Sequence, residues 1–170
     1  MAPIPGTNTQ NPSRFMKTLR NFLLLFALAF TVNTASAQLA IGPQVAYNLD
    51  ASEIAIGARG TYDINDQFRP AADFQYFLVG DGLSLFVFNA NLHYKFAGQT
   101  GGVQPYVLAG LGFASASVDV GFGKVSATDT GLNVGGGITL PLGNATFFGE
   151  AQYGIGGSEL GLIAGILFSL

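Results

Sequence analysis

The chain has no cysteine and no tryptophan, a single histidine, and few charges. Asp, Glu, Lys and Arg make up 10% of its 170 residues, against about 25% in an ordinary soluble domain. Each scarcity closes a route. Without cysteine there is no disulfide scaffold and no thiolate metal site. One histidine, His93, cannot make a His-rich metal site. The few basic residues form no patch, so nucleic acid is not expected as a partner. Long apolar runs are also scarce. The one present, FLLLFALAFTV at 22–32, is shorter than the roughly 20 residues a spanning helix needs. Yet the chain is 49% hydrophobic and carries 24 glycines. So much apolar character, with so little charge and no run fit to cross as a helix, points to a membrane entered some other way.

The apolar run itself reads as a leader. Lys17 and Arg20 precede it, and Ala35-Ser36-Ala37 follow it. A basic region, a short apolar region and a small-x-small site make a secretory signal peptide, with cleavage expected between Ala37 and Gln38. A retained membrane anchor is the alternative. Residues 1–15 resemble no part of a signal, and Met16 is the more typical start, so 1–15 are read as a misassigned start. The expected organisation is a signal peptide at 1–37 and one domain at 38–170. That domain holds Arg59, Arg69, Lys95 and Lys124 against all ten acidic residues, a formal charge of −6.

From residue 39 the pattern alternates with period two, the signature of strands. In IAIGARGTYDI (54–64), Ile54, Ile56, Ala58, Gly60, Tyr62 and Ile64 share one face, and Ala55, Gly57, Arg59, Thr61 and Asp63 the other. In FVFNANLHYKF (86–96), Phe86, Phe88, Ala90, Leu92, Tyr94 and Phe96 alternate with Val87, Asn89, Asn91, His93 and Lys95. Eight such segments are marked, at about 39–47, 54–64, 67–78, 83–96, 103–114, 130–142, 145–154 and 160–170. Their lengths suit a tilted transmembrane strand of about 9–11 residues. An even set of antiparallel strands can close on itself and leave no edge for lipid to satisfy. One face of each strand is nearly charge-free and rich in aromatics, while the other mixes charge, amide and glycine. That is the membrane polarity, apolar outside and polar within. A soluble lipocalin-like barrel would reverse it. The expected fold is all-β: an eight-stranded antiparallel up-and-down transmembrane barrel.

Turns give an orientation. NDQ (65–67), AGQTGG (97–102) and GN (143–144) alternate with connections at 48–53, 79–82, 115–129 and 155–159. Short turns are periplasmic and longer loops extracellular in outer-membrane barrels, so the long stretch 115–129 is expected to be an extracellular loop. Pro43, Pro70, Pro105 and Pro141 fall toward the periplasmic ends, where a missing ladder donor is best tolerated. Outward aromatics gather near both rims, Tyr47, Tyr76, Phe113 and Tyr153 at one and Tyr62, Phe68, Tyr94, Phe96 and Phe168 at the other. They form two interfacial girdles.

The inward charges suggest a plug. A three-residue NDQ turn sets Asp63 opposite Arg69 and Arg59 opposite Asp73. A two-residue GN hairpin sets Glu150 opposite Gly137 and Gln152 opposite Gly135, leaving room for a basic residue from across the barrel. Arg59, Arg69 and Lys95 against Asp63, Asp73 and Glu150 make a neutral set, as a desolvated lumen requires. Chemistry is hard to find. His93 faces the lumen beside Asn89 and Asn91 with no neighbouring nucleophile, so no catalytic residue, cofactor or metal is expected. GFGKVS (121–126) lacks the upstream glycine and the hydroxyl residue after Lys124 that a phosphate loop needs.

PYVLAGLGFA (105–114), a leader ending ASAQ, and the terminal GLIAGILFSL resemble the small outer-membrane β-barrel family, the group of OmpX, the OmpA transmembrane domain and the opacity-type proteins. Gly165, Phe168 and Leu170 fall at the glycine and apolar positions of that family's C-terminal assembly signal. Leu170 stands where Phe is commoner, and Ile163 where a polar residue is usual. The resemblance covers nearly all of 38–170. It implies an integral, monomeric protein of a Gram-negative outer membrane, in contact with its lipid and inserted by the barrel-assembly machinery. No periplasmic domain is expected after residue 170. The family has no single activity. A structural or surface-interaction barrel with a filled lumen leads, a narrow porin-like channel follows, and a lipid-modifying enzyme comes last. A surface ligand, if any, is expected at Asp119, Phe122 and Lys124.

Overall fold

A computed structural model of the chain describes residues 39–79, 83–98, 102–119, 124–155 and 159–170. The signal peptide assigned to 1–37 lies outside them. Eight strands follow in order: β1 (Leu39–Asn48), β2 (Glu53–Tyr62), β3 (Phe68–Phe77), β4 (Leu83–Lys95), β5 (Gln104–Asp119), β6 (Lys124–Leu142), β7 (Ala145–Ile155) and β8 (Glu159–Ser169). Each pairs antiparallel with the next, and β1 pairs with β8, which closes the barrel. No described helix is long and apolar enough to cross a membrane.

Alternation sets which face is inside. On β4, Asn89, Asn91, His93 and Lys95 are buried, while Phe86, Phe88, Leu92 and Tyr94 are exposed. On β5, Tyr106 and Leu108 point in, and Val107, Leu111 and Phe113 point out. The exterior is therefore aliphatic and aromatic, with Tyr47, Phe113 and Tyr153 toward one rim and Phe68, Tyr94, Phe96 and Phe168 toward the other. Some rings touch across strands, as Phe68 and Tyr94 do edge-on at 5.5 Å.

Turn chemistry fixes the register. Asn65 Oδ1 accepts hydrogen bonds from the backbone N–H groups of Gln67 and Phe68 at 2.9 and 2.7 Å, which bends the chain between β2 and β3. Arg59 then stands opposite Asp73. Gly143 has φ +67° and Asn144 does not share it, the pattern of a two-residue II′ hairpin. Leu142 pairs with Ala145, and Glu150 lies opposite Gly137.

The closing seam runs close. The β1–β8 ladder skips Gly42 and Pro43, because Pro43 has no N–H to give. A Cβ on Gly42 would lie 1.7 Å from the Ile166 carbonyl oxygen, so only glycine lets β8 approach here.

The expected loop at 115–129 is corrected. β5 continues to Asp119 and β6 begins at Lys124, paired rung by rung from Phe113–Thr130 to Asp119–Lys124. Ser, Thr, Val and Ala in this stretch carry the ladder as a ribbon, and Ser117 Oγ and Ser126 Oγ lie 2.9 Å apart across it. The β4–β5 pairing also runs out to Leu83–Val118.

Candidate functional site

The lumen is built in levels by side chains two residues apart on neighbouring strands. At mid-height Arg59 from β2 reaches across to β7. Its Nη1 and Nη2 donate to Glu150 Oε2 and Oε1 at 2.8 and 2.9 Å. Nη2 also donates to Asp73 Oδ2 at 3.2 Å. The Arg59 side chain is 1% exposed, and those of Asp73 and Glu150 are fully buried. The bidentate fork on Glu150 suits guanidinium and no other cation. Phe148 lies under the guanidinium, with Cζ 4.4 Å from the ring centroid, a cation–π contact.

Neutral groups complete this level. Tyr106 Oη donates to Glu150 Oε2 at 2.8 Å. Asp73 Oδ1 accepts from Gln44 Nε2, Gln75 Nε2 and Asn89 Nδ2 at 3.1, 2.8 and 3.0 Å. Asn133 Nδ2 donates to Asn89 Oδ1 at 2.8 Å, and Asn91 Nδ2 to Gln152 Oε1 at 3.1 Å. Each carboxylate thus has several donors, which a buried charge needs. Glycines make room for the rings. A Cβ on Gly137 would strike Tyr106 Oη at 2.6 Å, and one on Gly165 would strike the Phe148 ring at 2.7 Å.

A second cluster closes the barrel end at the β2–β3 turn. Arg69 Nε and Nη2 donate to Asp63 Oδ1 and Oδ2, both at 2.8 Å, and Lys95 Nζ donates to Asp63 Oδ1. Asp63 lies in the turn beyond β2. Burial raises its carboxyl pKa, but hydrogen bonds from Arg69 and Lys95 outweigh that and hold it below the ordinary value.

The six lumen charges do not form one network. Arg59 serves two carboxylates, and Asp63 serves two cations. The mid-lumen group has an excess negative charge and the mouth an excess positive one. His93 lies between them, stacked on Tyr106 with centroids 4.6 Å apart, its Nε2 3.8 Å from Glu150 Oε2. It faces the interior, away from lipid. Sequence reasoning put Asn89 inside but did not find it, Gln44, Gln75 or Tyr106 as ligands of Asp73 and Glu150, because neutral side chains have no charge pattern to pair. Among the described residues no group of acids and histidines could hold a metal ion. Of the expected surface contacts, Asp119 and Lys124 are the last rung of the β5–β6 ribbon rather than loop residues. Phe122 lies outside the described residues.

No family model and no curated protein matches the chain. Solved structures do. The N-terminal β-barrel domain of Pseudomonas aeruginosa OprF matches at TM-score 0.62 and 19% identity, over 78% of this chain and 97% of that one. Neisserial surface protein A matches at 0.57 and 25% identity, over 79% and 96%. Ail, the attachment invasion locus protein of Yersinia pestis, matches at 0.56 and 17%, over 79% and 97%. With a closed ladder, an apolar exterior suited to lipid, and a fold shared with these barrels, the chain is an integral eight-stranded β-barrel of the kind found in the bacterial outer membrane.

Proposed function

We propose that the protein is a non-conducting, non-enzymatic barrel with a structural or surface-interaction role. The observation that carries this is Arg59, locked across the lumen between Asp73 and Glu150 over the Phe148 ring. An ion on this path would have to break a buried, multiply bonded pair, which costs several kcal/mol. Eight-stranded interiors are in general filled rather than open. The mouth cluster of Asp63, Arg69 and Lys95 adds a second barrier in series.

On this reading the leader is removed, the barrel-assembly machinery inserts the chain as a monomer, and its lasting partner is outer-membrane lipid. The β5–β6 ribbon is the extracellular projection, and any surface partner meets it first. His93 in the closed interior gives a lipid-modifying enzyme no accessible base, so His93→Ala should leave membrane lipid composition unchanged.

Planar-bilayer recording tests the plug. The purified barrel should give no steps above the leak of empty membrane, and Arg59→Ala should introduce them. Discrete conductance from the unaltered protein would replace the plug with a narrow channel.

A further inference from the structure

Beyond the plug, the lumen widens into a cavity of about 160 Å³ that opens toward the β5–β6 ribbon. Gln75, Asn89, Asn133 and Gln152 form its inner part, and Asp129 and Glu159 stand at its rim. Among the described residues, no lysine, arginine or histidine lines it. Inward parity explains the set: Asp129 continues the face of Asn133 on β6, and Glu159 that of Ile163 on β8.

Two acceptors here are unused. Gln75 and Asn133 are each 5% exposed. Their NH2 groups are committed, Gln75 to Asp73 and Asn133 to Asn89. Their carboxamide oxygens accept no hydrogen bond from a described residue, and both residues line the cavity. Asn133 Oδ1 lies over Gly112, itself part of the cavity wall, 3.0 Å from where a Cβ would stand. The glycine leaves that oxygen open. At the rim, Asn48 Nδ2 orients Glu159 through Oε2 at 2.9 Å, and the Thr130 N–H holds Asp129 Oδ1 at 2.8 Å. The other oxygen of each carboxylate has no partner among the described residues.

The cavity thus offers acceptors and negative charge, and among the amides of its described lining the Gln152 NH2 group is the donor left uncommitted. An anion has no cation to meet. Among the described residues a bare metal ion lacks a cluster of acids to hold it, and hard divalent ions want about six to eight oxygens. An N–H-bearing cation fits both features, because each N–H can take one amide oxygen and the charge is met by carboxylate. A cavity near 150 Å³ holds a six-atom ring such as benzene, which bounds the ligand at about six heavy atoms.

We propose that this cavity binds a small organic ammonium ion, its N–H groups donating to Gln75 Oε1 and Asn133 Oδ1 and its charge offset by Asp129 and Glu159.

Putrescine is the probe. The folded barrel in uncharged detergent micelles at low salt is titrated with it, and the side-chain NH2 signals of Asn and Gln are followed by NMR. Saturable shifts centred on Gln75, Asn89 and Asn133 are expected. The double variant Asp129→Asn, Glu159→Gln changes only exposed groups and should keep the gel shift between boiled and unboiled samples. Its putrescine affinity should fall at least tenfold. Three results overturn the site: no saturable shift, equal affinity in the double variant, or shifts with calcium chloride at matched ionic strength and none with putrescine.

Discussion

Arg59 is the cation held between Asp73 and Glu150, and both carboxylates are fully buried. Removing it strands two negative charges in a low-dielectric interior. Arg59→Ala is therefore expected to destabilise the barrel by about 3–5 kcal/mol. Arg59→Met combined with Asp73→Asn and Glu150→Gln should recover most of that loss, because no charge is left unpaired. Urea midpoints of the refolded barrel measure both; equal midpoints for Arg59→Ala and the unaltered chain would remove Arg59 from the account of stability. Asp63 gives a pH signature. Its folded pKa lies below the ordinary carboxylate value, so its contribution to stability is present above that ordinary value and is lost as pH falls through the folded one. Stability should drop on acidification across that window, and Asp63→Asn should lower the neutral-pH value and flatten the slope there. A slope unchanged by Asp63→Asn would assign the acid sensitivity elsewhere. At this scale the sequence is legible where charge meets register. The NDQ turn alone places Arg59 opposite Asp73. It does not show that Asp63 takes Lys95 as well as Arg69, since Lys95 arrives from β4 and its reach depends on the barrel's curvature.

Strands are legible wherever one face meets lipid, because the bilayer forces apolar residues onto alternate positions. The β4 faces follow directly from Phe86 to Lys95. Outside the bilayer that force ends. Ser115–Val118 and Ser126–Thr130 carry no greasy face, so the stretch looks like a loop although it pairs as a ribbon. Close approach between strands is equally silent. Gly42 looks like any other glycine, yet a side chain there would meet the Ile166 carbonyl at 1.7 Å on the seam that closes the barrel. Gly42→Val is expected to abolish the compact, heat-modifiable species. Gly60→Ala, with nothing within 4 Å of the added carbon, should leave it intact. Electrophoresis of unboiled samples checks the pair, and a normal shift for Gly42→Val would mean the seam is looser than the ladder implies.

For the whole molecule, inside and outside are exchanged relative to a soluble barrel: amides, carboxylates and guanidinium fill the lumen, and Leu, Ile, Val and Phe cover the surface. This polarity predicts a response to substitution that a soluble protein would not give. In water, replacing an exposed small residue by arginine changes stability by about 0.5 kcal/mol or less. In a bilayer, arginine near the midplane costs about 2–4 kcal/mol. Ala109 is exposed on β5, four residues from Pro105 and four from Phe113, an outward ring near the ribbon end. It therefore sits near the middle of the apolar band. Ala109→Arg should cost about 2–4 kcal/mol in phospholipid vesicles, read from urea titration of folding. Leu39→Arg, on the outward face at the mouth end of β1, should cost about 1 kcal/mol or less, because the penalty falls toward the interface. Equal small losses at both positions would mean that the exterior faces no hydrocarbon, and the outward apolar surface would then need a protein partner rather than lipid to cover it.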